Sequence, residues 1–129
     1  MKAFQLGEPL GEIEQKFANL VWENEPITSM DLVKLCEEAL NWKKSTTFSI
    51  LRKFCQRGIF KNEKSLVSSL ISKEELKLLQ SKQFLENTYD GSLPQFIAAF
   101  VSKSDLSSEE LAEIQKIIQN QGQEGENGN

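Results

Sequence analysis

The chain has 129 residues, 39% of them hydrophobic and 26% charged, which fits one compact domain or a small domain with an appendage. No apolar run approaches the ~18 residues of a membrane span and no signal peptide is evident, so we expect a cytoplasmic protein without membrane insertion. The sequence has no histidine and two cysteines, Cys36 and Cys55, which argues against His-dependent catalysis, a metal site and a disulfide scaffold. Buried free thiols are the expected state of both cysteines.

Charge is distributed unevenly along this acidic chain, whose net charge is −4. Residues 41–64 carry seven basic side chains and one acidic, whereas residues 1–40 and 65–129 each have an acidic excess of five. A concentrated basic segment of this kind is typical of a nucleic-acid contact surface. The alternative is a solvated helix surface whose charge has no function.

The first 57 residues predict three helices. Leu10, Ile13, Phe17, Leu20 and Val21 recur at three- and four-residue spacings, which indicates an amphipathic helix that ends near Pro26. Thr28 followed by Asp31 resembles a capping box and predicts the start of a second helix. Ser45 is the expected N-cap of a third helix, which ends at about Arg57 with Gly58 just beyond it.

The third helix is predicted to have one apolar side and one polar, basic side. Thr47, Ile50, Leu51 and Phe54 are expected to pack inward. The opposite side is polar and basic, and it carries Thr46, Phe48, Ser49, Arg52 and Lys53. Apolar runs at 59–61 and 66–71 then flank the polar "NEKS", which indicates a small β-hairpin. Three helices followed by a hairpin predict a winged helix-turn-helix domain at 1–72, whose third helix enters the DNA major groove.

Each polar residue of this helix has an expected role. Ser45, Thr46 and Ser49 lie where a recognition helix meets base edges. Phe48 either packs on a thymine methyl or fills a gap beneath the hairpin, and the sequence does not distinguish these two roles. The basic side chains are expected to neutralise DNA phosphates: Lys43, Lys44, Arg52, Lys53 and Arg57.

The remainder of the chain predicts further helices. Ser72 with Glu75 and Ser107 with Glu110 form capping boxes, and Ser92 is a candidate cap between them. These helices, at 73–120, either fold back on the winged domain or form a dimerisation domain, and the two-fold symmetry of operators favours the second. The central interface residues are expected to be Phe96, Phe100, Leu111, Ile114 and Ile118. Residues 121–129 are polar and Gly-rich, and we expect a disordered tail.

Nothing in the sequence indicates an enzyme or a cofactor. There is no Gly-rich phosphate loop and no nucleophile with an adjacent base, and the paired glutamates are best explained as solvated helix surfaces. We therefore expect no catalytic residues, no metal site and no cofactor.

Three stretches carry a family resemblance. In "LGEIEQKFANLVW" and "NWKKSTTFSILRKFCQRGIF", and again in "KQFLENTYDGSLPQFIAAFVSKSDLSSEELAEIQKII", the chain resembles the penicillinase-repressor family of bacterial winged-helix regulators, which includes the methicillin-resistance repressors. The similarity covers roughly residues 10–119. The family positions in the second stretch are occupied by Trp42, Thr46, Ser49, Ile50, Phe54, Arg57 and Gly58.

The resemblance implies a mainly α protein that binds a pseudo-palindromic operator in double-stranded DNA as a homodimer and represses transcription. It also implies induction by a sensor-protease pathway that ends in cleavage within the dimerisation domain. The matching bond is Ala99–Phe100, although the family usually has Asn before this Phe. Phe48 replaces a residue that is commonly polar or basic, and the hairpin is short and carries Glu63. The tail has no cysteine, unlike that of the copper-responsive branch.

A second function remains open. Overall acidity, the short hairpin and Phe48 also fit a winged-helix protein-interaction module that has lost DNA binding. A continuous exposed surface formed by Lys43, Lys44, Arg52 and Lys53 would favour DNA, and scattered positions would favour a protein partner.

Overall fold

The computed structural model describes residues 6–103 and 106–127, with side chains described as far as residue 122. Residues 128–129 of the expected tail lie outside the described residues. The elements in chain order are α1 Glu12–Asn24, β1 Ile27–Thr28, α2 Ser29–Leu40, α3 Lys44–Gln56, β2 Phe60–Glu63, β3 Leu66–Ser69, α4 Lys73–Tyr89, α5 Leu93–Lys103 and α6 Ser108–Asn127. This confirms the expected fold, a mainly α winged helix-turn-helix followed by further helices.

The chain divides into two compact units, Met1–Gly91 and Ser92–Asn129. The sequence placed a boundary earlier, at residue 72, where α4 begins. The division follows α4 because Leu76 is buried in the winged core and Leu79 packs against that core. Helix α4 is therefore grouped with the winged unit.

The predicted helix ends are largely observed. The Thr28 hydroxyl accepts a hydrogen bond from the Asp31 N–H at 3.1 Å, and Ser72 and Glu75 form a reciprocal capping box at the start of α4. Gly58 follows α3 with φ of +81°, a left-handed conformation that favours glycine. In the second unit Ser92 and Ser107 also accept hydrogen bonds from backbone N–H groups three residues later. These local signals fix where the helices begin and end.

The sheet has one more strand than the sequence predicted. Its order is β1-β3-β2, with Ile27 opposite Val67 and Phe60 opposite Ser69 in antiparallel register. Strand β1 has only two residues, too few for a period-2 pattern to be recognised. The turn of the hairpin is Lys64–Ser65, both with positive φ, so the first half of "NEKS" extends β2 rather than forming the turn.

The core of the winged unit is an aromatic cluster around Phe60. The Phe54 and Phe60 rings stack with centroids 5.2 Å apart, and Phe17 lies 5.2 Å from Phe54. Trp22 meets Phe60 edge-on at 5.5 Å. The cluster joins helices α1 and α3 to the hairpin. Ile13, expected on the inner side of α1, is 49% exposed and does not belong to it.

The second unit is built differently. None of its residues with a described side chain is buried, although α5 and α6 both carry apolar stripes. Phe100 is 48% exposed and Ile118 is 62% exposed. Helix α6 also continues to Asn127, into the segment expected to be a disordered tail, where Gln and Glu offset the low helix propensity of glycine. In the described part of the chain no helix has the length and apolar character that crossing a membrane requires.

We expect Phe60→Ala to lower the free energy of unfolding by about 3–5 kcal/mol, because it leaves a cavity among three aromatic rings. The measurement is urea-induced unfolding followed by circular dichroism. Leu66→Ala, on the facing strand at a side chain that is 45% exposed, is the control and should cost about 1 kcal/mol or less. Equal losses in the two variants would contradict the central role of Phe60.

Candidate nucleic-acid interface

Helix α3 begins two residues earlier than the sequence predicted. Lys43, not Ser45, is the N-cap residue, with an extended backbone and no side-chain cap. Ser45 is instead exposed in the first turn. Because no side chain accepts from the first backbone N–H groups at this cap, they remain available for an anion such as a phosphate.

The two sides of α3 differ sharply in burial. Thr47, Leu51 and Phe54 are buried, which confirms three of the four predicted core positions, and Ile50 is half-buried. Successive residues on a helix are about 100° apart, so the exposed residues share the opposite side. That side is formed by Ser45, Thr46, Ser49, Arg52, Lys53 and Gln56. We call these six residues the polar side of α3.

The basic side chains expected to contact phosphates lie at both ends of this helix. Lys43, Lys44, Arg52 and Lys53 are all exposed. Within the residues whose side chains the structure describes, none of them forms an ion pair with a carboxylate. Lys44 and Arg52 are eight residues apart, which corresponds to about 12 Å along a helix axis. Positive charge is therefore found on the polar side of α3, at Arg52 and Lys53, and separately at the start of the helix, at Lys43 and Lys44.

Phe48 lies outside the polar side of α3. It is half-buried and packs against the core. Together with Phe60 and Leu70 it lines a groove of about 420 Å³ between α3 and the hairpin. Of the two roles left open by the sequence, this position favours packing beneath the hairpin over contact with a thymine methyl.

Arg57 has a different role from the one expected. Its guanidinium donates hydrogen bonds to the carbonyl oxygens of Glu8 at 2.8 Å and Leu6 at 3.4 Å. These bonds hold the segment before α1 against the end of α3. The guanidinium is thus engaged within the protein, which makes Arg57 a weaker candidate for a phosphate contact than the four exposed basic residues of this helix.

The wing, which we define as β2, β3 and their turn, has a mixed charge. Lys61 and Glu63 form an ion pair at 3.7 Å on β2. Lys64 occupies the turn and is exposed. Because Glu63 offsets Lys61, the positive charge of the wing is concentrated at its tip.

Sequence reasoning missed Gln56. It is exposed one helical turn after Arg52 and belongs to the polar side of α3. A glutamine amide can pair with the N6 and N7 edge of adenine, so it is a candidate base contact. The i, i+4 spacing from Arg52 was the available signal, because residues four apart share one side of a helix.

The two thiols lie on the inner parts of the helix-turn-helix. Cys36 is buried and Cys55 is half-buried, and both are free. Burial raises the pKa of each thiol above its ordinary value. The prediction of a buried free thiol is confirmed for Cys36 and only partly met by Cys55.

Comparison with known proteins identifies the family. The family model described as penicillinase repressor matches residues 10–120. The chain belongs to the penicillinase repressor family.

Individual relatives of the penicillinase repressor family are distant but cover most of the chain. The methicillin resistance regulatory protein MecI of Staphylococcus aureus (strain Mu50 / ATCC 700699) is 22% identical over 113 residues, which are 84% of this chain and 92% of that protein. The penicillinase repressor of Bacillus licheniformis is 20% identical over 114 residues, 85% of this chain and 89% of its own length. The penicillinase repressor of Staphylococcus aureus is 21% identical over 104 residues, which are 78% of this chain and 82% of that protein.

Membership of the penicillinase repressor family makes the chain a DNA-binding transcriptional repressor at family level. The resemblance stated from the three sequence stretches is thereby confirmed. Family membership does not itself assign roles to single side chains, so the DNA-contacting residues named above remain predictions from their position and charge.

If the polar side of α3 contacts phosphates, the double variant Arg52→Ala/Lys53→Ala should weaken binding to all DNA sequences. The slope of log affinity against log salt concentration should also become shallower by about 0.9 for each lost phosphate contact. The control is Lys77→Ala/Lys82→Ala, which removes the same charge from exposed positions on α4. Fluorescence anisotropy of labelled duplex DNA measures both quantities, and an unchanged slope in the first variant would remove these residues from the interface.

Proposed function

We propose that the chain binds a pseudo-palindromic operator as a homodimer and represses transcription by occupying it. The observation that carries this proposal is the exposure of four basic side chains on the helix that a winged helix-turn-helix places in the major groove. Arg52 and Lys53 share the polar side of α3, and Lys43 and Lys44 lie at the start of the same helix, about two turns away. This arrangement favours DNA over the alternative, a protein-interaction module that has lost DNA binding.

Within this surface, the residues divide by chemistry. Lys43, Lys44, Arg52 and Lys53 supply affinity through phosphates, which carry little sequence information. Ser45, Thr46 and Ser49, in the first two turns, are the candidates for contact with base edges. Phe48 supports the helix from the side facing the wing.

The proposed dimer is formed by the second unit. Because α5 and α6 bury none of their described side chains, this unit has apolar surface that needs a partner. The rings of Phe96 and Phe100 on α5 are tilted against each other with centroids 5.7 Å apart, and Phe96, Phe100 and Ile114 line an apolar cavity of about 210 Å³. The proposed centre of the interface also includes Leu111 and Ile118. A two-fold dimer would place its recognition helices about 34 Å apart, one turn of DNA.

We also propose the Ala99–Phe100 bond as the site at which a sensor-protease pathway would inactivate the repressor. The bond lies inside α5, and Phe100 belongs to the proposed interface. A protease usually binds its substrate as an extended strand, so the helix must first open locally. Cleavage there would split the interface and leave the winged unit intact.

Selection of bound duplexes from a random pool tests the proposed function. We expect the wild-type protein to enrich a two-fold symmetric site. Thr46→Val should change the preference at one position in each half-site, because a good base contact contributes roughly 1–3 kcal/mol of discrimination. Thr88→Val, at an exposed position on α4, is the matched control. Failure of the wild-type protein to enrich any sequence would favour the protein-interaction module.

The variant Ile114→Glu tests the dimer. A carboxylate at the proposed apolar interface should produce a monomer that binds a half-site feebly and the full operator little better. Gln115→Glu adds the same charge at the neighbouring exposed position and should remain a dimer. Analytical ultracentrifugation at tens of micromolar distinguishes the states. A monomeric wild-type protein at that concentration would contradict both the dimer and the induction mechanism that depends on it.

A further inference from the structure

The outer edge of β3 is only partly covered by another strand. Strand β1 pairs through Ile27 with Val67 and through Thr28 with Leu66. Extending this antiparallel register by two places would set Pro26 opposite Ser68 and Glu25 opposite Ser69. Strand β1 begins only at Ile27, however, and Glu25 is the C-cap residue of α1, so the backbone of Glu25 does not pair with Ser69. The β3 edge at Ser69 therefore needs another hydrogen-bonding partner.

The side chain of Glu25 is that partner. Its Oε1 accepts a hydrogen bond from the Ser69 backbone N–H at 2.8 Å. The Ser69 hydroxyl also contacts both carboxylate oxygens, at 2.8 Å and 2.9 Å. Hydrogen bonds to an ionised acceptor are stronger than neutral ones, and these are partly buried. The carboxylate thus replaces the backbone that a longer β1 would have provided.

The contact between Glu25 and Ser69 is connected to the recognition helix α3 through the residues of the wing. Ser69 is opposite Phe60 in the hairpin, and Phe60 stacks on Phe54 of α3. On either side of Ser69, the Trp22 Nε1–H donates to the Ile71 carbonyl at 3.1 Å, and the Ser29 N–H donates to the Ser65 carbonyl at 2.8 Å. The segment 22–29 therefore holds β3 and the residues that flank it through the β1 ladder and through the contacts of Trp22, Glu25 and Ser29.

We propose that Glu25 is a positioning residue for DNA binding: its carboxylate fixes the wing at the angle at which Lys64, at the tip, contacts a phosphate beside the groove occupied by α3. Glu25 does not itself contact DNA, since a carboxylate would repel a phosphate. The inference rests on the proposed function and adds to it a residue outside the basic segment.

The test compares the salt dependence of operator binding in Glu25→Ala and in the control Glu23→Ala. Glu23 is exposed two residues earlier on α1, so both variants remove one negative charge. On net charge alone both should bind DNA slightly more tightly. We expect Glu25→Ala instead to bind more weakly, with a log-log salt slope shallower by about 0.9, equivalent to one lost phosphate contact. Lys64→Ala should give the same slope. The double variant Glu25→Ala/Lys64→Ala should show no further decrease in affinity or in slope.

Conservative variants give a further readout. Glu25→Gln keeps one oxygen that can accept from the Ser69 N–H, so its slope should lie between those of the wild-type and Glu25→Ala proteins. If Glu25→Ala fails to fold, as judged by its circular dichroism melt, Ser69→Ala removes only the hydroxyl contacts and serves in the same comparison.

Two outcomes would overturn the inference. Affinity and slope equal to those of Glu23→Ala, in a folded variant, would leave Glu25 with a stabilising role alone. Absence of salt-dependent DNA binding by the wild-type protein would overturn the proposed function and this inference with it, and that result is obtained before any variant is made.

Discussion

The stacked pair Phe54 and Phe60 connects the two parts of the molecule that a DNA-binding winged helix must hold together. Phe54 comes from the inner side of α3 and Phe60 from the first strand of the wing, and their ring planes differ by only 14°. Phe17 and Trp22 of α1 close the cluster around them. Because both rings are buried, a rotation of α3 would have to move the wing as well. Because the buried side of α3 is packed against these rings, the orientation of its exposed polar side is fixed as well.

Local sequence signals predicted most of the elements, and the contacts between distant segments account for what they missed. Thr28, Ser72 and Gly58 act on neighbouring backbone groups, so their roles could be derived from spacing alone. Strand β1 depends on a partner about 40 residues away and is too short for a pattern. Arg57 appeared to be one more basic residue of the recognition segment, and only the fold brings the Leu6 and Glu8 carbonyls to it.

The candidate site, too, was predictable from the sequence only where local patterns determine it. The concentration of basic residues in 41–64, and the polar side of α3, could be identified from charge and helical period. The position of Phe48 could not, because a half-buried residue at the edge of a helix packs according to what lies beside it, here the wing. Glu25 carries no sequence signal for its role at all. It is one acidic residue among the eight of the first 40, and the register of β1 against β3 is what brings its carboxylate to Ser69.

The acidic surroundings of the basic segment bear on how a repressor would dock. Phosphates attract Lys44, Arg52 and Lys53 but are repelled by the acidic excess in residues 1–40 and 65–129. A chain with net charge −4 therefore gains favourable electrostatic energy when α3 points toward the duplex, whereas an approach through an acidic segment would bring carboxylates to the phosphates. Nonspecific adhesion is weakened, while the contacts made in the productive orientation are kept. For a protein that must distinguish one operator from a large excess of other DNA, this contrast between orientations contributes more than a uniformly basic surface would.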